Sequence, residues 1–338
     1  MTGTTPILDD RTVAESTPRR SLFAIVASQS FWMAWGLPIA ILALFVVFTI
    51  ASPQFLDQRN LLNVLRQSSV IAIAAAGATL VLIAGGIDIS QGAIMAMSGL
   101  VMVRTIQELG LPDLLAIAAG LALGAVFGLI NGLLSEKVRI PAFIATLATA
   151  LIFRGLAFVN TQGRDIGLEA GEGEIIRWIG QGYVGPVPVP VILMFVIYFA
   201  LAIVMSRTVW GMHTYAVGSS ERASRIAGLR VSRHRMGVYT VAGLLSGLAG
   251  IVLVGRLASV SASTATGAEF DILTAVVLGG TSIYGGRGTV LRTLLGAFML
   301  ALLSNGLILL NVPTFYQTVI VGAVLLGALA LGRSRKEY

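Results

Sequence analysis

Long apolar stretches, nearly free of charge and parted by short clusters of Gly, Pro, Asn or Arg, run from residue 33 to residue 332. A helix crossing the hydrocarbon of a bilayer needs about 20 mostly apolar residues. Measured against that length, the pattern predicts about ten spans. These are 33–52, 61–83, 91–103, 114–135, 142–160, 191–205, 236–255, an apolar piece at 272–280 too short to cross straight, and two within the uncharged run 293–332. Asn311, Val312 and Pro313 divide the last pair. A polar, Gly-rich and acidic stretch at 161–190 predicts an extramembrane loop, and 207–235 is the most basic segment. The expected fold class is an all-α polytopic membrane protein, with a tail at 1–30 and one transmembrane domain over 31–338.

Composition agrees with that pattern. Charged residues make up 12% of the 338 and apolar residues 56%, with a mean hydropathy of +0.88, against roughly 25% charge in soluble domains. The 39 glycines suit helices that approach closely in lipid, where packing replaces the hydrophobic drive. There is no cysteine, which excludes disulfides, thiolate chemistry and Cys-based metal sites. The net charge of +7 is better explained by topology than by nucleic acid, because basic residues gathered in short loops orient a membrane protein. With both termini inside, the cytoplasmic side holds Arg11, Arg19 and Arg20, Lys137 and Arg139, the arginines of 207–235, Arg287 and Arg292, and Arg333, Arg335 and Lys336. The outer loop at 161–190 then carries Asp165, Glu169, Glu172 and Glu174. The N-terminus lacks the apolar core and cleavage site of a signal peptide.

One pattern recurs along the chain. Gly85-Gly86-Ile87-Asp88 is followed by Asn131-Gly132-Leu133 and Pro141-Ala142-Phe143; Gly279-Gly280-Thr281-Ser282 is followed by Asn305-Gly306-Leu307 and Pro313-Thr314-Phe315. The match suggests an internal repeat of two halves, with Gly85 equivalent to Gly279 and Gly86 to Gly280. Transporters often place their solute at a repeat interface built from interrupted helices, so Gly85, Gly86, Asp88, Ser90, Asn131, Gly279, Gly280, Thr281 and Asn305 are expected along the pathway.

Asp88 and Ser90 have two readings, as functional polar residues in the membrane or as caps that start the third span. Asn131 and Asn305 either bind a hydroxylated solute or join helices. His213 and His234 read as solvated loop residues rather than a metal pair. Gly285-Gly286-Arg287-Gly288 is no phosphate loop, because the Lys-Ser/Thr step is missing. Within 207–235, Ser220 suits a helix start, Glu221 its positive end, Arg225 its negative end and Gly228 a stop. These signals predict a short cytoplasmic helix over 220–229, with Ala223, Ile226 and Ala227 on one face. So short a helix is marginal alone, and a partner surface is expected to hold it.

At these residues the chain resembles the permease subunits of ribose-, xylose- and arabinose-type ATP-binding-cassette sugar importers. The segments that match are LVLIAGGIDISQGAIMAMSG, NGLLSEKVRIPAFIATLATALIFRGLAF, YAVGSSERASRIAGLRV and AVVLGGTSIYGGRGTVLRTLLGAFMLALLSNGL, spanning about 60–331. The resemblance implies a homodimer in the bacterial inner membrane, cytoplasmic ATP-binding cassettes that use ATP and Mg, and a periplasmic sugar-binding protein. It implies no cofactor and no ATPase in this chain, and a coupling role for 220–229. Ser219, Ser220, Arg222 and Ser224 depart from the residues usual there. A branched-chain amino acid permease, a secondary transporter or channel, and an intramembrane enzyme are the competing classes. Few intramembrane acids and no HExxH motif weigh against the last two.

Overall fold

A computed structural model describes the backbone of residues 29–333 and the side chains of 35–327. The chain divides into two units, Met1–Gly36 and Leu37–Tyr338. The tail at 1–30 lies almost wholly outside the described residues, as do Arg335 and Lys336, and the second unit holds nearly all of the described fold. Its helices are α1 (Gln29–Ala51, which begins in the first unit), α2 (Gln58–Ile83), α3 (Gln91–Leu109), α4 (Asp113–Glu136), α5 (Ala142–Thr161), α6 (Glu174–Gln181) and α7 (Val189–Arg207). Then come α8 (Val209–Ser219), α9 (Glu221–Ile226), α10 (Val231–Leu257), α11 (Ala268–Leu278), α12 (Val290–Leu309) and α13 (Thr314–Arg333). Two-residue strands β1 (Ile166–Gly167) and β4 (Ser259–Val260) pair antiparallel, as do β2 (Tyr183–Val184) and β3 (Val187–Pro188).

Each apolar stretch of the sequence is a helix, and the differences lie at the ends. Helix α3 runs six residues past the expected 103 because Arg104 and Glu108, one turn apart, pair at 2.7 Å; Gly110, with φ +61°, closes it. The 207–235 segment holds the expected short helix as α9 and, beyond it, α8 and the start of α10. The 161–190 stretch contains α6 and the β2–β3 hairpin. Among the described residues six helices, α2, α4, α5, α7, α10 and α12, are long and apolar enough to cross a membrane, and α1 and α13 carry shorter apolar runs. Six rather than about ten thus meet that measure among the described residues; α11, at 11 residues, is too short to cross, while α1, at 23, and α13, at 20, each have one end in residues whose side chains lie outside those described.

Helix α10 is the hub. Gly120, Gly124, Gly128 and Gly132 recur every four residues on α4 as one stripe, of which Gly124, Gly128 and Gly132 lie on the α10 backbone and Gly120 on Ser98 O of α3. A Cβ on Gly124 would lie 2.6 Å from the Gly243 carbonyl oxygen and 3.0 Å from the Gly247 Cα, and one on Gly132 2.9 Å from the Met236 Cα. Two backbones thus touch with no side chain between them, the mode of packing that works when lipid is as apolar as the protein. On another side of α10, a Cβ on Gly77 of α2 would stand 2.9 Å from the Ala242 Cα. Helix α2 is buried on nearly every face from Ser68 to Ile83, as expected of a helix apolar all round.

The two Gly-Gly sites share one turn geometry, shifted by one residue from the register expected. Helix α2 ends with Ala84 N–H donating to Leu80 O, Gly85 at φ +81°, and Gly86 N–H donating to Val81 O at 2.9 Å. Helix α11 ends the same way, with Gly279 donating to Ala275, Gly280 at φ +83° and Thr281 donating to Val276 at 3.3 Å. This 6→1 closure needs a left-handed residue one past the cap. Gly85 therefore corresponds to Gly280, and Gly86 to Thr281. The preceding helices differ, because α2 has 26 residues whereas α11 has 11, about 16 Å at 1.5 Å per residue.

Candidate functional site

After the Gly85-Gly86 turn the chain runs without helix through Ile87–Ser90 and enters α3 at Gln91. Asp88 folds back on this start: its Oδ1 accepts from Ser90 N at 2.9 Å and from Ser90 Oγ at 2.6 Å. Asn131 of α4 donates to Ser90 Oγ at 2.7 Å and accepts from Thr149 Oγ1 of α5 at 2.6 Å. Thr146 of α5 accepts from Ile89 N at 3.2 Å, and Tyr239 of α10 donates to Ile87 O at 3.2 Å. One short polar segment is thus held by three helices. Asp88, Ser90 and Asn131, far apart in sequence, belong to it together.

The segment is not fully satisfied by the protein. Asp88 Oδ2 and both amide atoms of Gln91 are buried with no protein partner, and Gln91 is fully buried. Unpaired buried polar atoms are uncommon and costly, and in a membrane chain they mark functional positions. Sequence reasoning passed over Gln91, Thr146, Thr149 and Tyr239, which carry no motif; the one available signal was that Gln91 immediately follows the Asp88-Ile89-Ser90 run.

Asn305 stands apart from this group. Its amide and that of Asn60, near the start of α2, exchange hydrogen bonds of 2.8 and 3.0 Å, which makes Asn305 a helix-to-helix tie. Thr281 is buried with an unpaired Oγ1 beside Gly288. His234 is not a solvated loop residue, since its Nε2 lies 2.8 Å from Thr214 Oγ1 and its ring 5.3 Å from that of Trp210. No group of three or more metal-ligating side chains occurs among the described residues.

The Gly85 turn meets a different turn, Gly285-Gly286, at the end of α8. Gly286 N–H donates to Ile83 O at 2.8 Å. A Cβ on Gly285 would lie 2.8 Å from Gly218 O and 2.9 Å from the Gly85 Cα, and a Cβ on Gly218 would overlap Ile83 O. Directly after this junction comes α9. Ser220 Oγ accepts from Ala223 N at 3.2 Å, Glu221 pairs with Arg225 at 2.7 Å, and Gly228 at φ +82° ends the turn. Helix α9 is six residues, shorter than the expected 220–229. Ala223, Ile226 and Ala227 all face outward, with Ile226 80% exposed. A cleft of about 480 Å³ opens beside it, lined by Gly86, Glu136, Arg139, Glu221, Arg235 and Tyr239 among others.

Comparison with known proteins gives this arrangement a context. Residues 60–329 match the family described as branched-chain amino acid transport system, permease component. The chain belongs to that permease family. It is therefore a transport subunit rather than an enzyme, and a multi-pass membrane protein. The permease is 43% identical over 293 residues to the ribose import permease of Bacillus subtilis, covering 86% of this chain and 90% of that one. It is 40% identical over 299 residues to the ribose import permease of Escherichia coli, covering 88% and 93%. With the fructose import permease of Rhizobium meliloti it shares 33% over 298 residues, 87% and 83% of the two chains. No solved structure matches.

Proposed function

We propose that this permease forms the membrane pathway of an ATP-driven importer for a monosaccharide. One observation carries the assignment: relatives named as ribose and fructose import permeases match it over nearly its whole length. Branched-chain amino acids enter only through the wording of the family description. In this scheme two copies of the chain enclose the route, a periplasmic binding protein delivers the sugar, and a separate cassette supplies hydrolysis. No cofactor is held by the permease itself. Both termini and 207–235 face the cytoplasm, 161–190 faces the periplasm, and about ten helices, some of partial length, make up the domain in its lipid surroundings.

The polar segment at 87–91 suits the route. Asp88, Ser90 and Asn131 present a carboxylate, a hydroxyl and an amide, the groups that bind sugar hydroxyls, at the end of the Gly85-Gly86 turn. Gly279, Gly280 and Thr281 form the equivalent turn of the second half. The exposed Ala223, Ile226 and Ala227 face of α9 is the seat for the cassette, with Glu221 and Arg225 at its rim. Proteoliposomes holding permease, cassette and binding protein test the scheme: ribose or a related monosaccharide enters only with ATP and all three components. Uptake without the cassette, or uptake of leucine in place of sugar, overturns it.

A further inference from the structure

We propose that Arg235 is the strut that carries a movement of α9 into the Gly85-Gly86 turn and from there into the polar segment at 87–91. It deepens the proposed coupling role of α9 and rests on it. Arg235 stands in the second turn of α10 with 15% of its side chain exposed. Its Nε donates to Ala84 O at 3.0 Å, and its Nη1 donates to Glu221 Oε2 at 2.7 Å and to Glu136 Oε1 at 3.2 Å. One guanidinium thus joins the first residue of α9, the last residue of α4 and the capping carbonyl of α2. Its donors form a planar fork of fixed geometry, so displacement of one partner is passed to the others.

Helix α9 has little else to fix its orientation. It spans six residues, only Ser224 is buried, and a helix of this length does not hold itself. Glu221 is its polar tie to the rest of the fold. Beside that tie, the Gly218 backbone lies against Ile83 O with no room for a side chain, which gives the α8–α9 corner a pivot on the end of α2. Contact at the pivot and pull at the strut together convert tilting of α9 into rotation of residues 84–86. Those residues lead into the segment where Asp88 Oδ2 and the Gln91 amide are buried without partners. Groups in that state lose little when the segment shifts and water or a hydroxylated solute reaches them.

The test uses the complete importer in proteoliposomes and reads ATP hydrolysed per sugar imported. Arg235→Gln is expected to insert and to copurify with the cassette, while the ATP spent per sugar rises at least tenfold. Arg235→Lys, a point charge unable to reach three acceptors at once, is expected to fall between. Glu221→Gln, at a half-exposed position that does not threaten folding, is expected to raise the ratio too. The double variant should be no worse than the worse single one, because both cut the same link. A merely structural Arg235 would lower hydrolysis and uptake together and leave the ratio unchanged, which overturns the proposal. Unchanged uptake in Arg235→Gln, or additive losses in the double variant, also overturns it. Loss of cassette association in Arg235→Gln does so as well, because Arg235 would then build the docking surface. Failure of the docking assignment itself reads differently: Ala223→Glu would still recruit the cassette and transport normally.

Discussion

Asn131 is the residue on which the polar segment depends. It gives one hydrogen bond to Ser90 and takes one from Thr149, so Asn131→Leu removes two fully buried hydrogen bonds, although Ser90 keeps Asp88 Oδ1 and Thr149 keeps Thr146 O at 3.1 Å. The expected cost is about 2 kcal/mol, read as a shift in the denaturation midpoint of the detergent-solubilised protein. Asn305→Leu should cost less, about 1 kcal/mol, because the Asn60–Asn305 bonds are only partly buried. Equal losses in the two variants would contradict this ranking. Glu221 sets a second expectation. Its hydrogen bond from Arg225, and then its bond and charge pairing with Arg235, hold its carboxyl below the ordinary 4.5. A carboxylate with a depressed value stabilises the fold above that ordinary value and loses the contribution as pH falls through the depressed one. Glu136, Arg139 and Arg225 face the same cleft; partial burial opposes the two arginine partners without cancelling them. A spin label at residue 222 should therefore stay immobilised above pH 4.5 and gain mobility only below it. Asp88 and Asn131 were both visible in the sequence as polar residues in apolar surroundings. Their contact was not, since nothing local records a meeting of two helices.

Among the elements, the α4–α10 seam makes the sharpest demand. A Cβ on Gly243 would lie 2.7 Å from both the Cα and the N of Gly128, so Gly243→Leu must force the helices apart and is expected to abolish a stable fold. Gly155→Ala is the matched control, because nothing lies within 4 Å of that position; it should leave the thermal midpoint unchanged or slightly raised. Size-exclusion profiles of the two variants decide the point. Helix positions were legible from hydropathy alone, since an apolar run in lipid has few alternatives. The ends of α3 and α10 were not, because charged residues looked like boundaries until Glu108 and the carboxylates around Arg235 were seen to pair with them. Helix α8 was missed for a similar reason: its basic flanks read as loop, and its packing through His234 and Trp210 is tertiary.

For the whole molecule, orientation is the open quantity that the fold makes easy to measure. The chain has no cysteine, so single cysteines at residues 170 and 222 can be labelled with a membrane-impermeant reagent. Label from outside at 170 only, and at 222 only after the membrane is opened, is expected; labelling of both from one side would refute the arrangement. The recurring Gly-Gly was legible, yet the turn the two sites share pairs Gly85 with Gly280, one residue away from the register expected. Letters alone do not show which glycine is left-handed. Nor did they show that the Gly85 turn and the Gly285-Gly286 turn converge on Gly218.

That convergence has a consequence for how the protein is made. The carbonyl of Ile83, at the end of the second helix to leave the ribosome among those described, takes its hydrogen bond from Gly286, which is synthesised much later. Until then the early half sits in the bilayer with an open acceptor at the very turn on which its later movement depends. Biogenesis of this permease is thus a matter of waiting, in which the first half is threaded early and finished late, and a chain halted before residue 286 carries its first turn unclosed.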